Sequence, residues 1–369
     1  MGSVTPLLAL AQELRCRRPD MRFFWIGTRG GPERKLVEET GIPFRAIYSG
    51  KWRRYVSFSN IIDPLLIVLG FFQSLVLIIV HRPSVIVSAG SFVSVPLVWA
   101  GFLLRVPSVI HQQDISVGLA NKLMQPFAKK ITVAFEEQLK LFPAKKVVWT
   151  GNPVREEILH GDRVKATELF HLEEGIPTVL VTGGGTGAEF LNELVLASLP
   201  ELTQFCQIIH LMGGNKFCHP RASPPQADED PGIQVNSGLD SRLRGNDIEE
   251  KNRYHSYEFL ASGMPHALAA ADLVVSRAGM GILTELAALG KPAIVVPMPG
   301  THQEKNAAFF ARHGAIEVAS QESLTPQKFI ALVQGLLQDV KRQTILKDNI
   351  LKLMPHHAAQ RMAKEILKI

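Results

Sequence analysis

A glycine-rich stretch near the middle of the chain has the residue types of a phosphate-binding turn. Residues 178–189 read TVLVTGGGTGAE, so an apolar, β-branched run leads into four glycines, and apolar residues then recur at helical spacing. Glycines let a backbone approach its ligand closely, and the free N–H groups at the start of a helix favour an anion. The stretch therefore predicts a strand, a tight turn and a helix that bind a phosphate or diphosphate.

The residues around this turn narrow the class of nucleotide. Gly183, Gly185 and Ala188 fit the loose pattern of dinucleotide folds, but the next predicted strand, 205–211, ends without the carboxylate with which such folds bind ribose. The lysine of an ATP or GTP P-loop is also missing after Gly187. A sugar nucleotide with a diphosphate is the better interpretation. A turn that serves only strand-to-helix packing stays open as the alternative.

Further groups that could bind a ligand follow predicted strands of the first half. One strand runs into a second turn of small residues that contains Gly90 and Ser91, which could bind another phosphate. The next strand runs into polar residues that include His111 and Asp114, at the strand end where open α/β sheets place ligands. Arg155 follows the last strand of this half and is either a solvated hinge residue or a phosphate ligand.

The second half repeats this arrangement. Strand 272–275 leads into a glycine turn and a helix that carries Glu285, which could accept hydrogen bonds from ribose hydroxyls or could be a surface residue. Strand 293–296 leads into a polar cluster in which Gln303 and Asn306 are candidates to touch a ligand. Ligand groups are thus expected at several strand ends of both halves.

Length and composition indicate a globular α/β protein with two domains. The chain has 369 residues, of which 46% are hydrophobic and 20% are charged, enough for two full cores. A formal charge of +6 with only one basic cluster disfavours nucleic acid as a partner. Cys16, Cys206 and Cys218 are odd in number and scattered, which predicts reduced thiols and no metal site.

Alternating strand and helix patterns divide the chain into two predicted domains, 1–153 and 154–354. The basic amphipathic tail 355–369 is expected to pack back on the first domain. The pattern opens on a helix, so the first strand, normally central in a doubly wound sheet, is missing, and we expect a shortened start. Residues 217–252 lack apolar periodicity, which predicts a disordered surface insertion without catalytic duty.

A basic and aromatic segment precedes a long apolar run in the first half. Trp52, Arg53, Arg54 and Phe58 are followed by residues 61–80, which are nearly all apolar. Polar residues interrupt the run short of the ~20 residues that a transmembrane helix needs. A crossover helix whose apolar side docks on an anionic membrane surface is the favoured interpretation. A spanning helix, or a buried helix beside a solvated charge cluster, remains an alternative.

The complete set of turns resembles the MurG-type N-acetylglucosaminyltransferases, which convert lipid I to lipid II in peptidoglycan synthesis. The matching stretches run in order through both halves: VTPLLALAQEL, GSFVSVP, HQQDISVGLANKL, GNPVREEI, GGGTGAEFLNEL, ADLVVSRAGMGILTELAALGKPAIVVP and HQEKNAAFF. The resemblance implies a GT-B fold, in which two Rossmann-like, doubly wound parallel-sheet domains face each other across a cleft. It also implies a peripheral enzyme on the cytoplasmic face of the bacterial plasma membrane.

The implied activity is an inverting, metal-independent transfer that needs no cofactor. N-acetylglucosamine would pass from UDP-N-acetylglucosamine to undecaprenyl-pyrophosphoryl-N-acetylmuramoyl-pentapeptide, at an anionic inner membrane surface. On the donor side, the resemblance assigns Arg155, Gly185 and Thr186 to the nucleotide diphosphate. It assigns Glu285 to the ribose and Gln303 to the sugar hydroxyls.

The same resemblance assigns the remaining contacts. Leu260 or Ala261 would meet uracil, and Asp114, where the family usually has asparagine, would lie near the transferred sugar. Gly90 and Ser91 would lie at the acceptor diphosphate, and the region of Trp52 and residues 61–80 at the membrane.

Two departures from the family pattern concern catalysis. Ser3 stands where the family has a histidine that is a proposed general base, and serine is a poor base at neutral pH. Gly185 replaces the usual serine, so a hydroxyl is lost while backbone donors remain. The base is therefore unassigned, with His111 and Asp114 as weak candidates. A GT-B transferase for another lipid acceptor, and an inactive nucleotide-sugar-binding or scaffold protein, stay open as alternatives.

Overall fold

The computed structural model describes residues 2–31, 33–50, 59–184, 188–213, 233–235, 253–260 and 262–369. The chain forms two compact units. Unit 1 comprises Met1–Arg155 together with Met354–Ile369, and unit 2 comprises Glu156–Leu353. Both units are built from helices and mainly parallel strands, as the alternating apolar pattern predicts.

Unit 1 contains two separate parallel sheets. Its elements are α1 (Thr5–Arg17), β1 (Trp25–Gly27), α2 (Glu33–Glu38), β2 (Phe44–Ala46), α3 (Ser59–His81), β3 (Ile86–Ser88), α4 (Ser94–Leu103), β4 (Ser108–Gln112), α5 (Leu119–Met124), β5 (Lys130–Val133), a 3₁₀ turn (Glu136–Leu141) and β6 (Val147–Trp149). β1 pairs with β2 in one sheet, and the other has the order β3-β4-β5-β6. β4 extends to Gln112, so His111, which was predicted to follow this strand, lies inside the sheet.

Unit 2 contains one larger sheet. Its elements are α6 (Glu156–Leu159), α7 (Arg163–Phe170), β7 (Thr178–Thr182), α8 (Glu189–Leu202), β8 (Gln207–Leu211), β9 (Ile233–Val235), β10 (Tyr254–Leu260), α9 (Met264–Ala270), β11 (Leu273–Ser276), α10 (Met280–Leu289), β12 (Ala293–Val295), α11 (His302–Arg312), β13 (Glu317–Val318), α12 (Pro326–Gln338) and α13 (Val340–Lys352). The strand order is β13-β12-β11-β7-β8-β10-β9. All five residues of β7 are buried, as expected for a central parallel strand.

The predicted insertion 217–252 lies outside the described residues except for β9. That strand pairs antiparallel with β10, with Gln234 opposite Phe259 and Ile233 opposite Leu260. The prediction of a segment without regular structure is therefore wrong for these three residues. A three-residue edge strand is too short to leave an alternating pattern in the sequence.

The last helix, α14 (Ala358–Ile366), packs against α1 in unit 1. Met362 and Ile366 share a buried apolar cluster with Leu10 and Leu14 of α1 and with Val109 of β4. The ends of the described chain thus contribute to one core.

Helix α3 has one buried side and one exposed side. Gly70, Ser74 and Ile78 recur every four residues and are buried, and the Ser74 hydroxyl donates to the Gly70 carbonyl at 2.7 Å. The exposed side carries apolar residues at helical spacing: Leu65, Leu69, Phe72, Val76 and Ile79. Among the described helices, none combines the length and the apolar character that crossing a bilayer requires.

Close packing at Gly70 generates a prediction. A Cβ atom on Gly70 would overlap the carbonyl oxygen of Tyr48, which is backbone and cannot rotate away. We expect Gly70→Ala to lower the free energy of unfolding by roughly 1–3 kcal/mol.

The matched control is Gly335→Ala in α12, where nothing lies within 4 Å of an added Cβ. It should raise the free energy of unfolding by about 0.5–1 kcal/mol. Urea titrations followed by circular dichroism measure both, and equal effects would contradict the packing interpretation.

Candidate functional site

The centre of the unit 2 sheet brings two helix N-termini to neighbouring positions. β7 and β11 pair in register, with Thr182 opposite Ser276 at their carboxyl ends. α8 follows β7 and α10 follows β11, and neither helix has a side-chain hydrogen bond at its N-cap. Their first N–H groups therefore remain available to an anion, and both helix dipoles favour negative charge there.

The turn after β7 is shaped for close approach by a ligand. Gly184 has a φ of +87°, which L side chains rarely adopt, and its N–H donates to the Thr182 hydroxyl at 3.3 Å. Gly185 and Thr186, the predicted diphosphate ligands, lie outside the described residues. The turn after β11 leads through Gly279, at which a Cβ would meet nothing within 4 Å.

A buried arginine that the sequence analysis missed lies beside these turns. Arg277 follows β11 directly, is only 6% exposed, and donates from Nη1 to the Val296 carbonyl at 3.1 Å. Its guanidinium carbon lies 5.9 Å from the ring centroid of Phe190 in the first turn of α8. Its Nε has no hydrogen-bond partner, and burial lowers the pKa of the group. Arg277 thus places a positive charge among the turns after β7, β11 and β12. A charged residue directly after a buried parallel strand was the available signal.

The other residues of unit 2 that are predicted to bind the sugar-nucleotide donor lie on or beside β10, α10 and α11. Leu260 ends β10 and is buried, while Ala261 is outside the described residues. Glu285 is buried in α10, at 8% exposure. Gln303, in the first turn of α11, is half-buried, and its Oε1 accepts from the Met298 N–H at 3.0 Å.

Asn306, a further residue predicted to touch a ligand, has a structural contact. It is fully buried in α11, and its Nδ2 donates to the Ala278 carbonyl at 3.2 Å. The side chain therefore braces the turn between β11 and α10. Periodicity could not show this, because Asn306 occupies an inward position of a helix whose outward residues are also polar.

Unit 1 repeats the turn geometry of unit 2. Gly90, two residues after β3, has a φ of +86°, and its N–H donates to the Ser88 hydroxyl at 3.2 Å. Ser91 follows it and is half-buried. A Cβ on Gly90 would lie 3.3 Å from Nδ2 of Asn121, so a larger residue would be strained by both conformation and space. The predicted acceptor turn thus shares its glycine conformation and its hydroxyl contact with the turn after β7.

Side-chain amides hold the loop that carries Asp114. Nε2 of Gln112 donates to the Asp114 carbonyl at 2.6 Å and to the Ser116 carbonyl at 3.0 Å. Nε2 of Gln138 donates to the same Asp114 carbonyl at 2.7 Å, and Asn121 donates to Oε1 of Gln112 at 2.7 Å. Asp114 itself is half-buried. The backbone of this loop is therefore fixed from two sides.

The imidazole of His111 is buried within the sheet of unit 1 and is not exposed to a bound ligand. It is fully buried, with Nδ1 2.9 Å from the Thr132 hydroxyl and Nε2 2.9 Å from Oδ1 of Asn152. Burial lowers the pKa of its imidazole to about 4. Both ring nitrogens are occupied within the fold, which argues against His111 as a general base.

The remaining predicted residues are placed as follows. Ser3 precedes α1 and is half-buried, and Arg155 is half-buried and ends the first segment of unit 1. The predicted membrane residues lie outside the described part of the chain: Trp52, Arg53, Arg54 and Phe58. Across the described ranges, no group of three or more His, Cys, Asp or Glu side chains could hold a metal ion.

The buried imidazole generates a pH prediction. Because the pKa of His111 falls from 6.5 to about 4 on folding, the unfolded chain binds a proton that the folded chain does not between these values. Its contribution is complete above pH 6.5 and is lost as pH falls towards 4. We expect His111→Gln to cost about 1–3 kcal/mol at neutral pH through lost hydrogen bonds. The variant should also lose less stability than the parent on acidification.

Urea unfolding near neutral pH and at about pH 5 measures this difference. His210, whose pKa burial lowers to about 3, is present in both proteins and provides a constant background. An equal acid-induced loss in parent and variant would show that His111 does not resist protonation.

Comparison with known proteins places this geometry in a family. Residues 1–133 match the glycosyltransferase family 28 N-terminal domain, and residues 178–365 match the family's C-terminal domain. A Bacillus cereus protein named UDP-N-acetylglucosamine--N-acetylmuramyl-(pentapeptide) pyrophosphoryl-undecaprenol N-acetylglucosamine transferase 2 is 38% identical over 343 residues, 92% of this chain and 89% of that relative. A Clostridium kluyveri transferase of the same description is 33% identical over 373 residues, 100% of this chain and 95% of that relative.

A solved structure supports the fold independently of these sequences. The crystal structure of Acinetobacter baumannii MurG matches with a TM-score of 0.69 at 24% identity, covering 99% of this chain and 96% of that one. The predicted α/β fold with two Rossmann-like domains of GT-B type is thereby confirmed. The chain belongs to glycosyltransferase family 28 and, within it, to the MurG-type N-acetylglucosaminyltransferases that its sequence resembles.

Proposed function

We propose that this protein transfers N-acetylglucosamine from UDP-N-acetylglucosamine to undecaprenyl-pyrophosphoryl-N-acetylmuramoyl-pentapeptide, the step that makes lipid II for peptidoglycan. The observation that carries the proposal is the pair of uncapped helix N-termini after β7 and β11, in a chain whose curated relatives bear this transferase name. Such a pair suits a diphosphate, which bears charge on two adjacent groups.

The donor would be held mainly by unit 2. The diphosphate would meet the turn of Gly185 and Thr186, with Arg155 as a further cation, and Leu260 or Ala261 would meet uracil. Glu285 would accept hydrogen bonds from the ribose, and its burial removes competing water. Gln303 would bind the hydroxyls of the transferred sugar through its side-chain nitrogen Nε2, since its Oε1 already accepts from the Met298 N–H.

The transfer itself would be a displacement with inversion. The 4-hydroxyl oxygen of the N-acetylmuramoyl sugar forms a bond to the anomeric carbon, while the bond from that carbon to the diphosphate oxygen breaks. UDP departs with the electron pair, and the helix N-termini of α8 and α10 stabilise its charge as it develops. Gly90 and Ser91 would hold the acceptor diphosphate through the turn that resembles the nucleotide turn.

The proton of the attacking hydroxyl needs an acceptor. Asp114 is the better candidate of the two predicted residues, because His111 is buried with both nitrogens occupied. The amides of Gln112 and Gln138 hold the Asp114 backbone, which would limit the movement of its carboxylate relative to the sugar.

Release of UDP from UDP-N-acetylglucosamine in the presence of the lipid acceptor tests this function. We expect Glu285→Gln to weaken UDP binding by about 10- to 100-fold, since a hydrogen bond to a charged group contributes about 1.5–3 kcal/mol. Calorimetric titration with UDP gives the affinity without requiring turnover. Glu168→Gln, an exposed position of α7, is the matched control and should bind UDP normally.

The possible outcomes separate the alternatives. Unchanged UDP affinity in Glu285→Gln would remove Glu285 from the ribose site. UDP binding without release for any acceptor would support the inactive scaffold protein, and release only with another polyprenyl acceptor would support a different transferase.

We further propose that unit 1 docks on an anionic membrane surface through the exposed side of α3. Phe72 and Val76 are each 60% exposed, and they belong to a stripe of apolar side chains that a protein in water would normally bury. Exposed Arg82 directly follows the helix, and α4, which packs on α3, ends with exposed Phe102 and Leu103. Apolar area beside basic charge is the composition of an interfacial contact.

Sedimentation with phosphatidylglycerol vesicles tests the membrane proposal. We expect Phe72→Glu to reduce the bound fraction at least 10-fold, because it removes about 2 kcal/mol of apolar burial and adds repulsion from anionic lipid. The control is Val164→Glu in α7, where the parent residue is 70% exposed. Equal binding of the two variants would exclude the α3 surface.

A further inference from the structure

A chain of hydrogen bonds crosses the interior of unit 2, and the transfer proposed above does not use it. Nε2 of His210, in β8, lies 3.1 Å from Oδ1 of Asn192 in α8, and Nδ1 of the same ring lies 3.0 Å from the Tyr254 hydroxyl in β10. Asn192 donates in turn from Nδ2 to the Met212 carbonyl at 3.0 Å. His210 and Asn192 are both buried. The chain therefore joins two strands and a helix through the core of unit 2.

The contact at the Met212 carbonyl fixes the direction of every hydrogen bond in this chain. The Asn192 amide donates to a carbonyl, so its Oδ1 is the acceptor that faces His210. Nε2 of His210 must then carry the proton, and Nδ1 accepts from the Tyr254 hydroxyl. Burial lowers the pKa of this imidazole to about 3, so the ring is neutral at physiological pH. Three side chains thus donate in one direction, from β10 towards the end of β8.

Apolar side chains would fill these positions without the cost of burying polar groups. All five residues of β8 are buried, and Tyr254 packs against the apolar cluster that contains Leu191 and Ile208. An imidazole and an amide lose their hydration in such surroundings, and only complete hydrogen bonding offsets that loss. The same bonds fix the positions of the groups that they join. We therefore looked for the function of the chain in the positions that it fixes.

The chain connects the two parts of unit 2 that would hold the ends of UDP. Asn192 lies in the first turn of α8, the helix whose N-terminus is proposed to bind the diphosphate. Met212 directly follows β8, and its N–H donates to the Tyr257 carbonyl of β10 at 2.9 Å. Leu260, the proposed neighbour of uracil, ends the same strand. Asn192 thus ties the helix at the diphosphate to the strand edge at the base.

We propose that His210 and Tyr254 are positioning residues that set the spacing between the diphosphate subsite at α8 and the uracil subsite at the end of β10. This inference rests on the proposed function and deepens it within the same site. Neither residue touches the ligand, since both act through Asn192 and the Met212 carbonyl. UDP occupies both subsites at once, so its affinity depends on their separation, whereas uridine or pyrophosphate occupies only one.

Titration of the full chain with UDP, uridine and inorganic pyrophosphate tests this role. Calorimetry measures the affinity for UDP, and ligand-observed NMR measures the affinities for the two smaller ligands. We expect His210→Leu to weaken UDP binding by about 10-fold or more, and binding of uridine and of pyrophosphate by less than about 2-fold. Tyr254→Phe removes one hydroxyl and should have a smaller effect in the same direction, and it carries the comparison if His210→Leu does not fold.

Two further variants separate positioning from general destabilisation. His210→Gln keeps one donor and one acceptor on its amide, so it should restore most of the affinity for UDP. Ile209→Ala removes apolar volume at the neighbouring, fully buried residue of β8. It should lower the Tm because it leaves a cavity, but it should bind UDP like the parent.

Contrary results overturn the inference in distinguishable ways. Equal UDP affinity in the parent, His210→Leu and Tyr254→Phe would show that the chain does not position the subsites. Equal losses for all three ligands, or an equal loss of UDP binding in Ile209→Ala, would show that the effect is general destabilisation. A parent chain that binds none of the three ligands would overturn the proposed function together with this inference.

Discussion

The pairing of β7 with β11 is the constraint on which the rest of unit 2 depends. Parallel strands send their following turns to one edge of the sheet, so two strands adjacent in space but distant in sequence place their helices side by side. Each helix contributes only partial positive charge, and the effect falls off within one turn. The sheet register places both helix ends at adjacent positions, which suits the diphosphate that we propose as the ligand.

Buried polar side chains hold these strand-end turns, and each would destabilise the fold if it lost its hydrogen-bond partner. Arg277 in unit 2 and the amides of Gln112, Gln138 and Asn121 in unit 1 are bonded mainly to backbone carbonyls at or just beyond the ends of strands. A buried amide without a partner would cost about 1–3 kcal/mol, so each such group tolerates few alternative arrangements. The same hydrogen bonds are directional, so they fix the positions of the loops more narrowly than apolar contacts alone would.

Much of this architecture was predictable from the sequence, for a physical reason. β7 and β11 are continuous apolar runs followed by glycines, and that pattern is local, so strands and turns could be located within one or two residues. The burial of His111 and Asn306 could not be predicted, since it depends on which strands and turns pack together. Arg277 was overlooked because a lone arginine in a turn usually indicates solvent exposure. β9 was missed because its pairing with β10 is a long-range contact between short segments.

The position of α14 makes unit 1 the last part of the chain that can finish folding during synthesis. Unit 2 is continuous in sequence, so its core can close as soon as residue 353 has left the ribosome. Unit 1 emerges first, yet the cluster around Leu10, Leu14 and Val109 stays open until Met362 and Ile366 arrive. The ion pair between Lys130 of β5 and Glu365 of α14 also cannot form until α14 has been synthesised. For that interval the nascent protein presents an apolar surface that chaperones or neighbouring chains could bind.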